Sequence, residues 1–595
     1  MVLTTNEVLH SGSDKVVIRT TGTAAGTLQI ETETVVEYDG MGIVDVVLTP
    51  TQPIAIDGVD FRVNVLRQPE QQVLGFATET VYWSGRDRLL APCYSGSYKS
   101  IVGFVSRQFS FWWLADESDG WDRGAQLTTE IHCTPETLEL NQPVVVGPRL
   151  LSTSVHYRFA FLATPVRELT PDFRSNRVVA GISTAEARAG NVGLWWTDAT
   201  AHFALPYLGY PDGAREHLTA AEISAYPGAA RNAENVQQWR GMGIDRLPYV
   251  SLRAISPLDS AAQPHLAEWR SLPAIATGGE VDAPYTTGYK RPLVSLRASG
   301  YVDHQLEQLS AIADGLGVRG FYFDQAEPIG SENPAHVAPG SNGLVNPVTD
   351  VLAMRDFFKR LATLLYSKGR SPLIYVHNST APIIPAYTFV TAMVQGEELN
   401  QVATIRNFDY QGSIPMSYVW PMYSPQNSGV PTVWLEELWS EVFAARRPAP
   451  YGNDTRGWLE SGAFSLAWRN FMAMALLHDI PVWTLAPVAQ REALYAQMDR
   501  FGVSASDFHG YWEFGTGWPG QPVLLSAYVR PEVPAVLLVA ANVTTEAQTL
   551  SASTVASWFD AASLPVATRE VLARYGASGA QVAIAPRDFT LIELH

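Results

Sequence analysis

The chain has 595 residues and a formal net charge of −18, from 41 Lys+Arg against 59 Asp+Glu. At about 150 residues per domain this suggests some four domains, or fewer if one is a large barrel. Such an acidic chain repels phosphate backbones and anionic lipid headgroups, which argues against nucleic acid and membrane surfaces as partners. With 46% hydrophobic and 17% charged residues, the chain is globular, not disordered or coiled-coil. Cys93 and Cys133 are too few for a disulfide framework or zinc ribbon; they leave a single bridge open and do not decide the redox compartment. The opening MVLTTNEVLHSGSDK has no basic segment leading into an apolar one, and no apolar run reaches the roughly 18 residues a membrane helix needs. The expectation is a soluble, cytoplasmic protein, although a trimmed secreted chain would read the same. The 17 tryptophans suit stacking on sugar rings and serve equally well in cores.

Residues 1–185 read as successive strands, among them IETETVVEYDG, GIVDVVLTP, VDFRVNVL, TLELNQPVVV and VHYRFAFLAT, alternating or rich in β-branched residues. Strands without helical periods between them predict an N-terminal β-sandwich. Over residues 186–515 short apolar runs alternate with helical patterns: 192–196, 245–252, 291–296, 319–324, 372–377, 386–394, 430–435 and 480–485. Eight such runs predict a (β/α)8 TIM barrel of parallel strands. Two helices are marked by apolar spacing of three and four, one over 303–316 and one that Asp350 would cap and Lys368-Gly369 would stop. From 516 to 595 strand texture returns in PVLLSAYV, AVLLVAANV and RDFTLIELH, predicting a small C-terminal β-domain. The sequence VSLRA occurs at 250–254 and again at 294–298, which would place Arg253 and Arg297 just after successive barrel strands.

A barrel presents its reacting groups at the C-terminal ends of its strands. Asp324 closes the run Phe321-Tyr322-Phe323, and Glu397 and Glu398 follow Gln395-Gly396, the glycine permitting close backbone approach. Two carboxylates across a barrel mouth suit glycosidic cleavage, one protonating the leaving oxygen and the other attacking or activating water. The alternative for Asp324 is a cap or an ion pair with an arginine such as Arg297; for Glu397 it is a solvated loop. Glu436 and Glu437 read as acids opening a helix, where the dipole favours them. Trp195, Trp196, Asp198, Tyr249, Arg253, Arg297, Tyr322, Gln325, Glu327, His377, Asn378 and Trp483 are candidate substrate contacts, the aromatics for stacking and the arginines for an acidic sugar group. Asp409 and Tyr410 are weaker candidates. HExxH, calcium-loop, P-loop and dinucleotide patterns are absent from the sequence, so neither metal nor cofactor is expected.

Five stretches, FWWLADESDGW (111–121), FLATPVREL (161–169), MGIDRLPYVSLRAIS (242–256), GVRGFYFDQAEP (317–328) and QGEEL (395–399), together resemble the glycoside hydrolase family 123-like group. The resemblance implies a sandwich, a barrel, a small β-domain and a retaining glycosidase. In that group the substrate's own acetamido oxygen attacks, an Asp orients it and the next residue, a Glu, is the general acid. Here the Asp position is Asp324, but Gln325 stands where the acid belongs and cannot exchange a proton as a carboxylic acid does. The reading is therefore a divergent glycosidase acting on an oligosaccharide or glycoside, with Asp324 as nucleophile or base and Glu397, or in its place Glu398, as acid/base. A carbohydrate-binding protein on an inactive barrel and a transglycosylase are the alternatives.

Overall fold

The structure, a computed structural model, describes residues 2–595 except 69–70, 77–88, 116–120, 122–127, 170, 181–191, 196–228, 254, 256–261, 273–279, 283–289, 325, 338–347, 379–381, 401–408, 437–449, 451–453, 485–487, 515–520, 531 and 560–563. Val2–Ala163 builds two antiparallel sheets. The larger has nine strands, beginning with the consecutive hairpins of Val2–Ser11, Lys15–Ala24, Leu28–Glu37 and Met41–Pro50 and continuing through Val155–Ala163 and Ser110–Leu114. The smaller has four, with Ile54–Leu66 paired along Thr137–Leu151. Alternation along these strands sends one face inward, where the sheets share a core. Phe61 of the smaller sheet stacks on Trp113 of the larger at 5.6 Å and lies 4.1 Å from Phe159. Cys93 and Cys133 form a disulfide within the smaller sheet.

Eight strands then close into a barrel: Val178–Ala180, Val192–Trp195, Asp245–Ser251, Gly320–Asp324, Leu373–His377, Ala392–Gln395, Thr432–Leu435 and Val482–Trp483, called strands 1 to 8 below. Every neighbouring pair is parallel, and Val178 opposite Trp483 closes the ring. Burial on both faces explains why strands such as GFYFD and LIYVH read as unbroken apolar runs.

The structure removes one of the eight expected runs from the barrel and adds a strand that none of them covers. Val178–Ala180, ahead of residue 186, is strand 1. The run 291–296 is not in the barrel: Lys290–Pro292 pairs antiparallel with Glu280–Asp282, and Val294 bridges to Arg270. Leu293, Val294 and Leu296 are buried there, and a short buried run has the same periodicity whether it lies in a barrel or in a hairpin beside it. Helices Ala229–Gly241, Ser299–Leu316, Val351–Ser367 and Gly462–Leu477 follow strands 2, 3, 4 and 7, whereas Ile384–Ala386, between strands 5 and 6, is a single 3-10 turn. The helix at Ser299–Leu316 stops where Gly317 takes a left-handed φ of 68°. Asp350 precedes Val351–Ser367 without capping it; its carboxylate instead accepts hydrogen bonds from the backbone N–H groups of Ile329 and Leu296 at 2.7 and 3.3 Å.

The C-terminal sheet starts at Asp507–His509, ahead of residue 516, and continues through Val523–Arg530, Ala535–Asn542 and Phe589–Leu594. It is not all-β. Helices Ala552–Phe559 and Val566–Ala577 contribute Val555 and Leu572 to the buried core that includes Leu538 of the sheet. Their Ala, Ser and Thr content leaves too few large apolar residues to register as a helical period.

Arginines tie the three units together. Arg355, on the helix after strand 4, pairs with Glu37 and Asp39 of the sandwich at 2.8 and 2.7 Å. Arg174 pairs with the buried Asp479 at 2.7 Å, and Tyr528 of the C-terminal sheet donates to the same carboxylate at 3.0 Å. Arg107 lies over the rings of Trp420, Tyr511 and Trp512 at 5.4, 5.4 and 4.7 Å. Beside that cage is His478, fully buried, 2.7 Å from the carbonyl of Met474. Burial is the main cause that lowers its pKa to about 4.

The unfolded chain therefore binds a proton at His478 below about pH 6.5 that the folded chain refuses until about pH 4. Stability is expected to fall across that window, by up to about 3 kcal/mol from this group. Urea unfolding at pH 7 and pH 5 checks this: the loss between the two should be smaller in His478→Gln than in the unsubstituted protein.

Candidate active site

The carboxylates stand where strands 4 and 6 end. Asp324 is the last residue of strand 4, and its pairing with Ser251 at the end of strand 3 brings it level with the barrel mouth. After strand 6 the chain turns at Gly396, with φ of 136° and Leu435 O only 2.3 Å from where a Cβ would sit. Only glycine permits that backbone and that approach, and the turn delivers Glu397 to the same mouth.

His377, the last residue of strand 5, lies between them. Its Nδ1 is 3.4 Å from Asp324 Oδ1 and its Nε2 is 3.6 Å from Glu397 Oε2. The imidazole is 1% exposed, while the carboxylates keep 18% and 25% of their side-chain surface. The ring is thus buried, while both acids remain partly accessible. The Tyr322 hydroxyl is hydrogen-bonded to Nδ1 at 2.7 Å, and the Tyr249 hydroxyl donates to Asp324 Oδ2. Tyr249 and Tyr322 pair across strands 3 and 4, with rings edge to face at 5.7 Å. The two acids are separated by one ring width and two short gaps, inside the outer limit of about 9.5 Å for paired glycosidase carboxylates.

Several expected substrate contacts have other work. Arg253 and Glu327 pair with each other, their side chains 2% and 4% exposed. The pair lies on the loops leaving strands 3 and 4. The same loop is held by Ala326 N donating to His377 O at 3.1 Å and by the Tyr387 hydroxyl donating to Ala326 O at 2.8 Å. Burial pushes that hydroxyl well above the usual phenol range. Arg297 follows no barrel strand and donates to Thr349 O at 3.0 Å. Trp483 is fully buried with its ring 6.0 Å from Tyr322, so it fills the barrel instead of offering a stacking face. Asn378 is also buried and accepts from Gln395 Nε2 at 2.7 Å. Asp409 accepts from Gly412 N and Asn470 Nδ2, both at 2.9 Å, a local structural role, and Tyr410 is buried. Trp196, Asp198 and Gln325 lie outside the described residues, as do the side chains of Trp195 and Glu398.

Glu436 directly follows strand 7 and is fully buried, accepting a hydrogen bond from Thr484 beyond strand 8, while its N–H donates to Trp483 O at 3.0 Å. The helix that it and Glu437 are expected to open lies outside the described residues.

The architecture, an N-terminal sandwich leading into a parallel barrel, is shared with solved structures. Among solved structures the chain matches a family 36 α-galactosidase of Geobacillus stearothermophilus in complex with raffinose, with a TM-score of 0.51 and 10% identity, over 100% of this chain and 86% of that one. An α-galactosidase of Lactobacillus brevis matches at TM-score 0.48 and 9% identity, over 100% and 84% of the two chains. A family 31 sulfoquinovosidase of E. rectale matches at 0.47 and 8%, over 100% and 92%. At such identity the likeness is one of fold. No protein-family model matches the sequence, and no curated protein matches it.

Removing one partner of the Arg253–Glu327 pair leaves a buried charge uncompensated, so Arg253→Ala is expected to cost about 3–5 kcal/mol of stability. Arg253→Met combined with Glu327→Leu should recover most of that loss. Chemical denaturation of the single and double variants measures both.

Proposed function

We propose that the chain is a glycoside hydrolase that cleaves an oligosaccharide or glycoside with Asp324 and Glu397 on a (β/α)8 catalytic barrel. The observation that carries this reading is the convergence of these carboxylates, from strands 4 and 6, on the two nitrogens of His377 at one barrel mouth. Asp324, receiving the Tyr249 hydroxyl, acts as the nucleophile, and Glu397, the more exposed acid, protonates the leaving oxygen and then activates water. His377 and Tyr322 hold both in place. The fold shared with an α-galactosidase crystallised with raffinose supports a carbohydrate as the partner. Retention of anomeric configuration accords with the family 123-like resemblance, and in that branch Asp324 would instead orient an acetamido group.

A second reading rests on the imidazole between the acids. A ring's width suits a water poised for inversion, with Asp324 as general base. Among the described residues no helix is long and apolar enough to cross a membrane. The Cys93–Cys133 disulfide favours an oxidising compartment over the cytoplasmic setting expected from the sequence.

Asp324→Asn and Glu397→Gln should each lower turnover at least about a hundredfold with the fold intact, the scale of a lost general acid or base. NMR of the first-formed anomer on any glycoside cleaved in a broad screen decides between retention and inversion. Near-native rates in a folded Asp324→Asn protein would remove it from the mechanism. Binding without product would favour the sugar-binding alternative, and transfer products the transglycosylase.

A further inference from the structure

The opposite end of the barrel holds a second cleft, of about 370 Å³. It opens among the N-terminal ends of strands 5 to 7 and the residue before strand 8, with Leu373, Ala392, Val433 and Pro481 in its wall. The candidate active site occupies the C-terminal ends, so the two do not share a surface.

Arg167 projects into this cleft from the segment that joins sandwich to barrel. That segment is pinned: Val166 N donates to Ser428 O at 2.9 Å, and Gly429, at φ of 76°, has Arg167 O only 2.4 Å from where a Cβ would be. The guanidinium donates to the carbonyls of Thr388 and Val390, which uses part of its five N–H groups. Protein surrounds it on most sides, yet the residue is solvent-exposed. Burial lowers its pKa, and the groups that act on its charge are the phenols of Tyr366 and Tyr38. The nearby acids are already taken: Glu37 and Asp39 by Arg355 and Lys359, and Asp245 by Arg319. Among the described residues no carboxylate pairs with Arg167.

Among the described residues the cleft therefore carries one uncompensated, positioned cation, and the same cleft is lined by Tyr38 and Tyr366, each 65% exposed. Its volume lies at the small end of ligand pockets, about 300–1,000 Å³. We propose that it is a binding site for a carboxylate on a single ring-sized body, the carboxylate taking the remaining Arg167 N–H groups and the ring lying against Tyr38 and Tyr366. A uronic acid and an aromatic acid share this chemistry. The site stands independently of the glycosidase reading.

Saturation-transfer NMR on the whole chain, titrated with glucuronate, benzoate and glucose, tests it. Saturable binding of glucuronate identifies a sugar acid as the ligand type and binding of benzoate an aromatic acid, with glucose silent in both cases. Arg167→Gln should weaken that binding at least about tenfold, the scale of a charge-assisted pair. Asp324→Asn should leave it unchanged. Tyr366→Ala, which removes an exposed ring, should also weaken it and decides the matter if Arg167→Gln does not fold. Absence of binding by either acid at millimolar concentration, affinity unchanged in Arg167→Gln or Tyr366→Ala, or loss of binding in Asp324→Asn would overturn the proposal.

Discussion

Closure of the parallel sheet is the constraint on which the rest depends. A sheet buried on both faces has no side on which a charged group can meet water, and closure removes the edges as well. Polar chemistry is pushed to the strand ends, where side chains from non-adjacent strands meet across the mouth. Asp324, His377 and Glu397 are distant in sequence but stand at the ends of strands 4 and 5 and just past the end of strand 6. Below them Tyr249, Tyr322 and Trp483 fill the barrel, and the hydroxyls of the two tyrosines point the packing upward into the acid cluster. The core and the site are thus one object: the same rings exclude water from beneath and orient the groups above.

The surrounding units fix the barrel from outside by a different means. At each junction a guanidinium is the connecting group: Arg355 to the sandwich, Arg174 to the C-terminal sheet through Asp479 and Tyr528, Arg107 within a cage of three rings. A planar cation can accept carboxylates at its edge and aromatic rings at its face, so it joins surfaces that are partly polar and partly apolar. These junctions are more polar than the sheet cores, as expected where separately formed cores dock. The desolvation of His478 belongs to this setting, because the cage that receives Arg107 also shuts water from the imidazole.

Much of this was legible in the sequence because two kinds of pattern survive without tertiary context. Alternation marked the sandwich strands, an unbroken apolar run ending in a carboxylate marked strand 4 with Asp324, and a glycine followed by two carboxylates marked the turn after strand 6 that carries Glu397. What failed was anything that depends on what a run packs against. The 291–296 run is as apolar as a barrel strand but pairs with Glu280–Asp282, and Val178–Ala180 is too short to stand out although it completes the ring. The repeated VSLRA suggested equivalent arginines, yet Arg253 ends in a buried ion pair and Arg297 on a backbone carbonyl. Identical local sequence carries no information on which acid or oxygen the fold brings to the guanidinium. The two C-terminal helices were hidden for a related reason, their few large apolar residues being recognisable as a face only once the sheet beneath is known.

Burial separates the roles of chemically identical residues at the mouth. Glu327, Glu397 and Glu436 are all glutamates close to strand ends. Glu327 is spent on Arg253 and Glu436 takes a hydroxyl donor, both in the interior. Glu397 keeps a quarter of its surface and faces an imidazole at a distance longer than a tight hydrogen bond. A carboxylate locked in a buried pair would have to break that pair to move a proton, at a cost of several kcal/mol. The same comparison applies to Asp324 and Asp350: Asp350 is fully buried and accepts two backbone N–H groups, which makes it a fixed brace for the loops behind strand 4. Asp324, with one oxygen toward Tyr249 and the other toward His377, keeps 18% of its side-chain surface, so the two aspartates differ in access more than in residue type.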